Sequence, residues 1–220
     1  MNIEHCEFPD DLYYDVENNV WFRELSKDGT DGQIGVSSVF IFLSGKISQF
    51  KFRPLLGKVI RGQSLGTIES IKYVGAVRSP VSGEIAMLNE SIARDPLPLW
   101  KSPYDAWIAS YKSFDPKSLE NLLKGEQARD AIAKRIRELH IHCFKLLPDE
   151  EMYSIGTECE TTLANLSEVF EDKPMGYAVL MVTDDPTADI ETVRWSMQTR
   201  NEIVEVRKEG NLYHFIVRKP

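Results

Sequence analysis

A single lysine, Lys72, stands between two strand-like runs in residues 66–75, which read GTIESIKYVG. A lysine on such a tight turn directs its side chain into solvent, where few neighbours restrict the amine. A covalently attached swinging arm requires this placement, because the amine must reach a ligase and the arm must then reach distant active sites. The alternative from spacing alone is an ordinary exposed lysine in a hairpin, since lysine is common at protein surfaces.

A cysteine, Cys159, lies where residues 155–162, which read IGTECETT, pass from a strand-like run into a helical one. The unsatisfied N–H groups and the positive dipole end of a helix favour the thiolate, which is the reactive form of cysteine. The negative charges of Glu158 and Glu160 oppose this effect. The alternative is a buried, unreactive thiol, because free cysteines are among the most buried residues.

The remaining cysteines and the histidines do not form a recognisable metal-binding pattern. His5 and Cys6 open the chain, and His140, His142 and Cys143 follow a helical segment in an H-x-H-C spacing that matches no standard structural zinc site. We therefore predict no metal site. The chain has three cysteines, an odd number without a CxxC pair, which predicts no disulfide and favours a reducing compartment.

The charge balance excludes some classes of partner. The chain has 220 residues with 26 Lys and Arg against 34 Asp and Glu, a net charge of −8. Residues 151–220 hold 7 basic and 13 acidic residues, so no basic footprint for nucleic acid is expected. The longest apolar runs, residues 39–43 and 178–182, have five residues each, whereas a membrane span needs about 20. The first ten residues, MNIEHCEFPD, lack the pattern of a secretory signal, so we expect a cytoplasmic protein without a membrane contact.

The elements that must position Lys72 occupy the first half of the chain. Short apolar runs separated by turn glycines predict a small sandwich or flattened barrel. The predicted strands are residues 20–25, 34–43, 46–52, 64–70, 75–78, 83–89 and 107–111. A helix then begins at Asp115-Pro116 and continues to residue 139, and Gly125 can split it. Residues 1–10 are interpreted as a loose acidic lead.

The elements that must position Cys159 alternate between strand-like and helical patterns, which predicts a two-layer α/β module of order βαβαββ. Its strands are residues 152–155, 177–183, 203–207 and 212–218, and its helices are residues 160–171 and about 187–199. The first helix should turn one apolar face inward, and the second should gather its apolar residues on one face. These residues are Leu163, Leu166 and Phe170 on the first helix, and Ile190, Val193 and Met197 on the second.

The Lys72 segment resembles the lipoylation motif of glycine-cleavage H proteins. Further matches over residues 11–139 include GQIGV at 32–36, LSGKI at 43–47, RPLLGKVIRG at 53–62, SPVSGEI at 79–85 and SPYDAW at 102–107. The resemblance implies lipoate bound as an amide to Lys72, with Glu69 and Ser70 beside it. The chain departs from the family pattern at Asn18-Asn19, at Tyr73 and at Asp105-Ala106, where the family carries other residues.

Residues 152–219 resemble the TusA-like (SirA-like) sulfur carriers in element order, in TDDP at 183–186 and in YHFIVRK at 213–219. That resemblance implies a persulfide-carrying cysteine at position 159. The Cys-Pro-x-Pro motif of the family is incomplete here, because Glu160 and Thr162 replace its prolines. Ser196 stands where the family often has a second cysteine. The domain is therefore either a sulfur carrier or a docking module with an inactive Cys159.

Together the resemblances imply two domains joined by a linker. Residues 11–139 would form an all-β flattened lipoyl/biotinyl-type sandwich (barrel-sandwich hybrid) with a C-terminal helix. Residues 140–151 would be the linker, and residues 152–220 would form the TusA-like two-layer α/β sandwich.

The implied function is that of a lipoyl carrier that serves partner enzymes and turns over no substrate itself, with Cys159 as a possible sulfurtransferase residue. The favoured cargo is sulfur, with a lipoate-protein ligase or lipoyl transferase, dihydrolipoamide dehydrogenase and sulfur-transfer or heterodisulfide-reductase-like proteins as partners. One alternative is aminomethyl shuttling between glycine decarboxylase and aminomethyltransferase. Another is an unmodified adaptor.

Overall fold

The computed structural model of the chain describes residues 1–27, 31–54 and 57–220, and it forms two compact units, Met1–Cys143 and Phe144–Pro220. The turn glycine Gly29 and the motif residues Leu55 and Leu56 lie outside the described residues.

In the first unit the strands are β1 Asn2–Ile3, β2 Cys6–Glu7, β3 Tyr13–Asp15, β4 Val20–Glu24, β5 Gly32–Val36, β6 Ile47–Phe52, β7 Lys58–Val59, β8 Ser64–Ser70, β9 Val74–Arg78, β10 Gly83–Leu88, β11 Ala109–Phe114 and β12 Leu123–Lys124. Its helices are α1 Ser38–Ser44, α2 Glu90–Arg94, α3 Leu97–Lys101 and α4 Arg129–Glu138.

Two sheets provide most of the first unit. One has the strand order β12-β3-β4-β5-β11-β10-β7, and the other has the order β6-β8-β9. Apolar residues that alternate along these strands are fully buried, among them Phe22, Ile34 and Ile68. The hydroxyls of Ser79, just after β9, and Tyr111, on β11, lie 2.7 Å apart and tie the two sheets together. The sheets hold the β8–β9 hairpin, which carries Lys72, against a fixed core.

The predicted strand over residues 34–43 is wrong in its second half. Strand β5 ends at Val36, and residues 38–44 form helix α1. A five-residue apolar run fits a buried strand and a buried helix equally well, so periodicity alone does not separate them. Gly45 ends α1 with φ +72°, a conformation that favours glycine, and its N–H donates to the Ile41 carbonyl at 2.8 Å.

The helix predicted from residue 115 begins at Asp115-Pro116 and divides near Gly125 as expected, but its first half is not α-helical. Residues 116–121 and 125–128 are two short 3-10 helices, and strand β12 lies between them. Only α4, Arg129–Glu138, is α-helical. Gly125 has φ +49° and its N–H donates to the Leu12 carbonyl at 3.1 Å, so pairing with the β3 region replaces the helical turn.

The start of the chain is not a loose lead, and the predicted absence of a disulfide is wrong. Strands β1 and β2 form a ribbon that packs on α4, and Ile3 and Phe8 are buried there. Cys6 and Cys143 form a disulfide within this cluster, and both are buried. They are 137 residues apart in the sequence, so only the fold brings them together. Because two of the three cysteines form a disulfide, cysteine usage does not support the predicted reducing compartment.

The second unit contains β13 Glu150–Ser154, α5 Cys159–Glu171, β14 Ala178–Thr183, α6 Ala188–Thr199, β15 Glu202–Glu209 and β16 Leu212–Arg218. Its sheet has the order β13-β14-β16-β15, with β13 parallel to β14 and the other neighbours antiparallel. Residues of α5 and α6 pack on β14 and β16 in one core. The predicted inward face of α5 is confirmed, since Leu163, Leu166 and Phe170 are all buried.

The residues predicted to share a face of α6 do so, but that face is exposed. Ile190, Val193 and Met197 are 62%, 42% and 77% exposed. The helix instead turns Ala188, Thr192 and Trp195 towards the core. Both sets have helical spacing, so the sequence pattern does not tell which of them is inward.

Candidate functional site

Lys72 occupies the turn of the β8–β9 hairpin. The last paired positions are Ile68 with Gly75 and Glu69 with Val74. Beyond them the Ser70 N–H donates to the Tyr73 carbonyl at 2.9 Å, which closes the turn. Lys72 therefore stands at the tip of a two-stranded projection, as its sequence context predicts.

The hydroxyl of Ser70 organises this turn. It accepts hydrogen bonds from the backbone N–H of Lys72 at 3.3 Å and of Tyr73 at 3.1 Å. It donates to the Ser44 carbonyl at 2.5 Å, at the end of helix α1. One side chain thus fixes the backbone of the tip and attaches the tip to a neighbouring helix.

The aliphatic stem of Lys72 lies over Gly45. A Cβ added at Gly45 would come within 2.9 Å of the Lys72 Cε and 3.6 Å of its Cδ. The glycine therefore leaves room for the lysine stem to run along the backbone that ends α1. In the sequence, Ser44 and Gly45 stand out only as part of the family match at residues 43–47. The signal for their role is a small residue and a glycine directly after an apolar run.

The tip is open to solvent on both sides of the lysine. The side chain of Ile71 is 100% exposed and that of Val74 is 73% exposed, and Lys72 itself is exposed. An enzyme that acylates the lysine can therefore approach it from the solvent. The exposed position of Lys72 at the hairpin tip fits the attachment of a long covalent arm to its amine.

Glu69 and Tyr73 contact other parts of the fold. The Glu69 carboxylate lies 3.7 Å from the Lys51 Nζ on the neighbouring strand β6, and both side chains are exposed. The ring of Tyr73 packs edge-on against Phe40 of α1, with centroids 5.9 Å apart. Glu69 thus belongs to the stem of the hairpin, and Tyr73 adds an aromatic contact between its tip and α1.

The family departure at Asn18-Asn19 lies in the turn between β3 and β4. The Asn18 N–H and side-chain amide donate to the Asp15 carboxylate at 3.1 and 2.9 Å. Asn19 has φ +55°, a left-handed conformation that asparagine tolerates better than most residues. The guanidinium of Arg135 on α4 donates to the Asn19 side-chain oxygen at 3.4 Å. Asn18 and Asn19 therefore stabilise the turn between β3 and β4.

Cys159 lies at the N-terminus of a helix, as predicted, although α5 begins one residue earlier than expected, at Cys159 itself. The environment of Cys159 does not favour the thiolate. The side chain is buried, and burial together with the charges of Asp185 and Glu191 raises the pKa of the Cys159 thiol to about 11. The backbone N–H of Cys159 donates to the Asp185 carboxylate at 2.9 Å, so a carboxylate occupies the helix N-terminus. At neutral pH this thiol is protonated.

Within the described ranges, no group of three or more His, Cys, Asp or Glu residues could hold a metal ion. Cys6 and Cys143 are joined to each other and so are not thiolate ligands. No helix in the part of the chain that the structure describes is long and apolar enough to span a membrane.

Comparison with known proteins identifies relatives of the first unit. The family model for "Glycine cleavage H-protein" matches residues 12–135. The chain is 36% identical over 145 residues to the glycine cleavage system H protein 3 of Aquifex aeolicus, covering 64% of this chain and 89% of that protein. It is 33% identical over 146 residues to the probable glycine cleavage system H protein 2 of Sulfolobus acidocaldarius, covering 64% of this chain and 96% of that protein.

A glycine cleavage system H protein from Mycobacterium marinum has a solved structure that matches 61% of this chain and 100% of its own, with a TM-score of 0.46 and 23% identity. The family model spans more than half of the chain and includes the hairpin that carries Lys72. The chain therefore belongs to the glycine cleavage H-protein family.

Proposed function

We propose that this chain is a lipoyl carrier protein and that Lys72 is its lipoate attachment site. Glycine cleavage H proteins carry lipoate covalently on a lysine. The observation that carries the assignment is the position of Lys72, exposed at the tip of the β8–β9 hairpin with its stem over Gly45. Glu69 and Ser70 belong to the proposed site as the residues that shape the hairpin end.

When bound, lipoate supplies a dithiol–disulfide pair at the end of a long flexible arm. The residues of the chain place the root of that arm. Ser70 fixes the turn and holds it to α1, Gly45 makes room for the lysine stem, and Tyr73 packs against Phe40. A rigid tip benefits a carrier, because the acylating enzyme meets the same lysine geometry in every encounter.

The cargo that we propose first is sulfur. The support is the second unit, whose βαβαββ order and cysteine at the start of α5 resemble TusA-like sulfur carriers. A covalent link between two carrier sites raises their effective concentration to about the millimolar range where the linker permits contact. The partners would be sulfur-transfer or heterodisulfide-reductase-like proteins, with a lipoate-protein ligase or lipoyl transferase to modify Lys72 and dihydrolipoamide dehydrogenase.

For Cys159 to carry a persulfide, its thiol must first become accessible. The thiol is buried and its pKa is raised to about 11, so it needs a partner that exposes it or displaces Asp185 before it can act as a nucleophile. Without such a partner the second unit would serve as a docking module.

The alternative cargo is an aminomethyl group, passed between glycine decarboxylase and aminomethyltransferase. The family membership of residues 12–135 and the names of the relatives favour it. This alternative uses Lys72 in the same way and makes no use of Cys159.

The attachment site is tested by incubating the full chain with lipoate, ATP and a lipoate-protein ligase and then mapping the modified peptide by mass spectrometry. We expect modification of the wild type and of Lys51→Arg, which alters an exposed lysine on the neighbouring strand, and none of Lys72→Arg. Equal modification of Lys72→Arg would refute the assignment.

The cargo is tested with the lipoylated chain in two assays. One supplies a persulfide donor and measures sulfur on the protein, and the other measures glycine–CO2 exchange with glycine decarboxylase. Sulfur on the modified Lys72 peptide without exchange activity supports the sulfur proposal. Exchange activity with no bound sulfur supports the aminomethyl alternative. A Cys159→Ser variant that takes up sulfur as well as the wild type would leave the second unit as a docking module.

A further inference from the structure

An open groove of about 700 Å³ runs along helices α5 and α6 of the second unit. Its lining residues belong to the second unit and include Cys159 and Asp185, and lipoate attachment at Lys72 makes no use of them. Its floor is partly apolar, with Leu163 and Ala164 from α5 and Trp195 from α6. The Trp195 ring is fixed, because its Nε1 donates to the Ser167 hydroxyl at 2.8 Å.

Carboxylates dominate the rim of this groove. Glu158, Glu160, Asp185 and Glu191 line it, and Arg194 is the basic residue among the lining side chains. The Arg194 guanidinium donates to both oxygens of Glu191 at 2.9 Å, so these two charges neutralise each other. The other three carboxylates leave the rim with a negative charge.

The pKa shifts of Cys159 and Asp185 agree with a negatively charged rim. The carboxylates of Asp185 and Glu191 are among the causes that raise the pKa of Cys159. Hydrogen bonds from Thr187 and from the Cys159 backbone lower the pKa of Asp185, so this carboxylate stays ionised at neutral pH. The groove is therefore anionic under physiological conditions.

The same helix presents an apolar stripe to solvent. Ile190, Val193 and Met197 occupy positions i, i+3 and i+7 of α6 and are all exposed. Neighbouring exposed apolar side chains of this size commonly mark an interaction surface. An anionic groove next to an apolar stripe complements a segment that has basic residues on one side and apolar residues on the other.

The second unit as a whole has the same sign of charge. Residues 144–220 contain eight Lys and Arg against fifteen Asp and Glu. A basic partner is therefore attracted from a distance, and an acidic partner or a nucleic acid is repelled.

We propose that the α5–α6 groove and the adjoining stripe of Ile190, Val193 and Met197 form a docking site for a basic amphipathic segment of a partner protein. Apolar side chains of that segment cover the stripe and reach towards Trp195, while its lysines or arginines face Glu158, Glu160 and Asp185. The proposal concerns recognition only and does not depend on lipoate or on the reactivity of Cys159.

The test uses the full chain and two synthetic helical peptides with the same leucine pattern, one with lysines and one with glutamates at the polar positions. Binding is measured by titration calorimetry at two salt concentrations, and the contact is mapped by amide chemical-shift changes. We expect the lysine peptide to bind, with shifts confined to residues 158–167 and 185–198 and weaker binding at high salt. The glutamate peptide should not bind.

Matched variants locate the interaction. Glu158→Gln with Glu160→Gln should weaken binding of the lysine peptide about fivefold, from the loss of two rim charges. Glu168→Gln with Glu171→Gln changes the same charge at exposed positions of α5 outside the groove and should leave binding unchanged. Ile190→Ser with Met197→Ser should weaken it further, and these exposed positions leave the core intact.

Equal weakening by the two glutamate pairs would show non-specific attraction and would overturn the proposal. Binding of the glutamate peptide, or of neither peptide, would also overturn it. So would a dimer of the chain that the Ile190→Ser, Met197→Ser variant converts to a monomer, because a second copy would then occupy this surface. Loss of lipoylation at Lys72 would leave all these outcomes unchanged, so the two proposals fail separately.

Discussion

Reduction of the Cys6–Cys143 disulfide should markedly lower the thermal stability of the first unit. The bond joins residues that are 137 positions apart, so it closes almost the whole unit into a ring. A chain-entropy treatment gives about 5 kcal/mol at 25 °C for a loop of this length, and removal of native disulfides typically costs about 2–5 kcal/mol. For a domain of this size, each kcal/mol corresponds to about 2–4 °C in Tm, so we expect a decrease of roughly 5–20 °C.

Loss of the disulfide should destabilise the start of the chain in particular. Cys6 and Cys143 lie in the cluster that packs the β1–β2 ribbon on α4, together with Ile3, Ile132 and Ile136. Without the bond, the ribbon is held to the rest of the unit by these apolar contacts and by hydrogen bonds such as those that the Ser38 and Tyr104 hydroxyls donate to the Glu7 carbonyl, at 2.9 and 2.7 Å. The start of the chain should therefore become the first part to open on heating.

The assay is differential scanning calorimetry of the full chain with and without a reductant. Cys6→Ala with Cys143→Ala should reproduce the reduced wild type, and reductant should not affect this variant. Cys159→Ala is the matched control and should keep the dependence on reductant. Thiol titration after denaturation should find one thiol before reduction and three after it. Three thiols in the purified, oxidised protein would show that the disulfide does not form, and a transition that reductant does not move would show that it does not stabilise the unit.

Three other substitutions test the two candidate sites. Ser70→Ala removes the hydroxyl that bonds the Ser44 carbonyl and the N–H groups of Lys72 and Tyr73, and should lower the free energy of unfolding by about 1–2 kcal/mol. Urea unfolding measures this loss, and Ser48→Ala, which removes an exposed hydroxyl nearby, is the control. Gly45→Ala should cost about 1–3 kcal/mol, because its backbone conformation suits glycine almost alone; an unchanged Tm would contradict this. With its pKa raised from 9.0 to about 11, Cys159 should react with iodoacetamide at pH 7 roughly 100-fold more slowly than a free cysteine. Asp185→Asn lowers that pKa and should speed the reaction, and no acceleration would count against the assigned cause.

The Lys72 hairpin was accessible to sequence reasoning because it is local. Strand β8 has the predicted bounds, residues 64–70, and β9 differs by one residue from its predicted start. Alternating apolar residues, a short turn and flanking glycines are all contained within about fifteen positions. The turn network of Ser70 is less visible, because its partner Ser44 comes from another element.

The features that sequence reasoning missed depend on contacts between distant segments. The Cys6–Cys143 pair forms only when the chain start packs on α4. The exposed face of α6 has the same helical spacing as a buried one. Cys159 lies at a helix N-terminus as predicted, but burial and the carboxylates of Asp185 and Glu191 outweigh the dipole. Local patterns therefore place a reactive residue on its element, whereas the charge around it depends on the tertiary structure.

Peptide mass spectrometry of the protein from its native cells would show whether Lys72 carries lipoate. We expect lipoate on the peptide containing Lys72 and on no other lysine peptide. Detection under non-reducing conditions also records any additional sulfur on that peptide or on the one containing Cys159. An unmodified Lys72 in cells that lipoylate their other carrier proteins would show that this chain is not a lipoyl carrier.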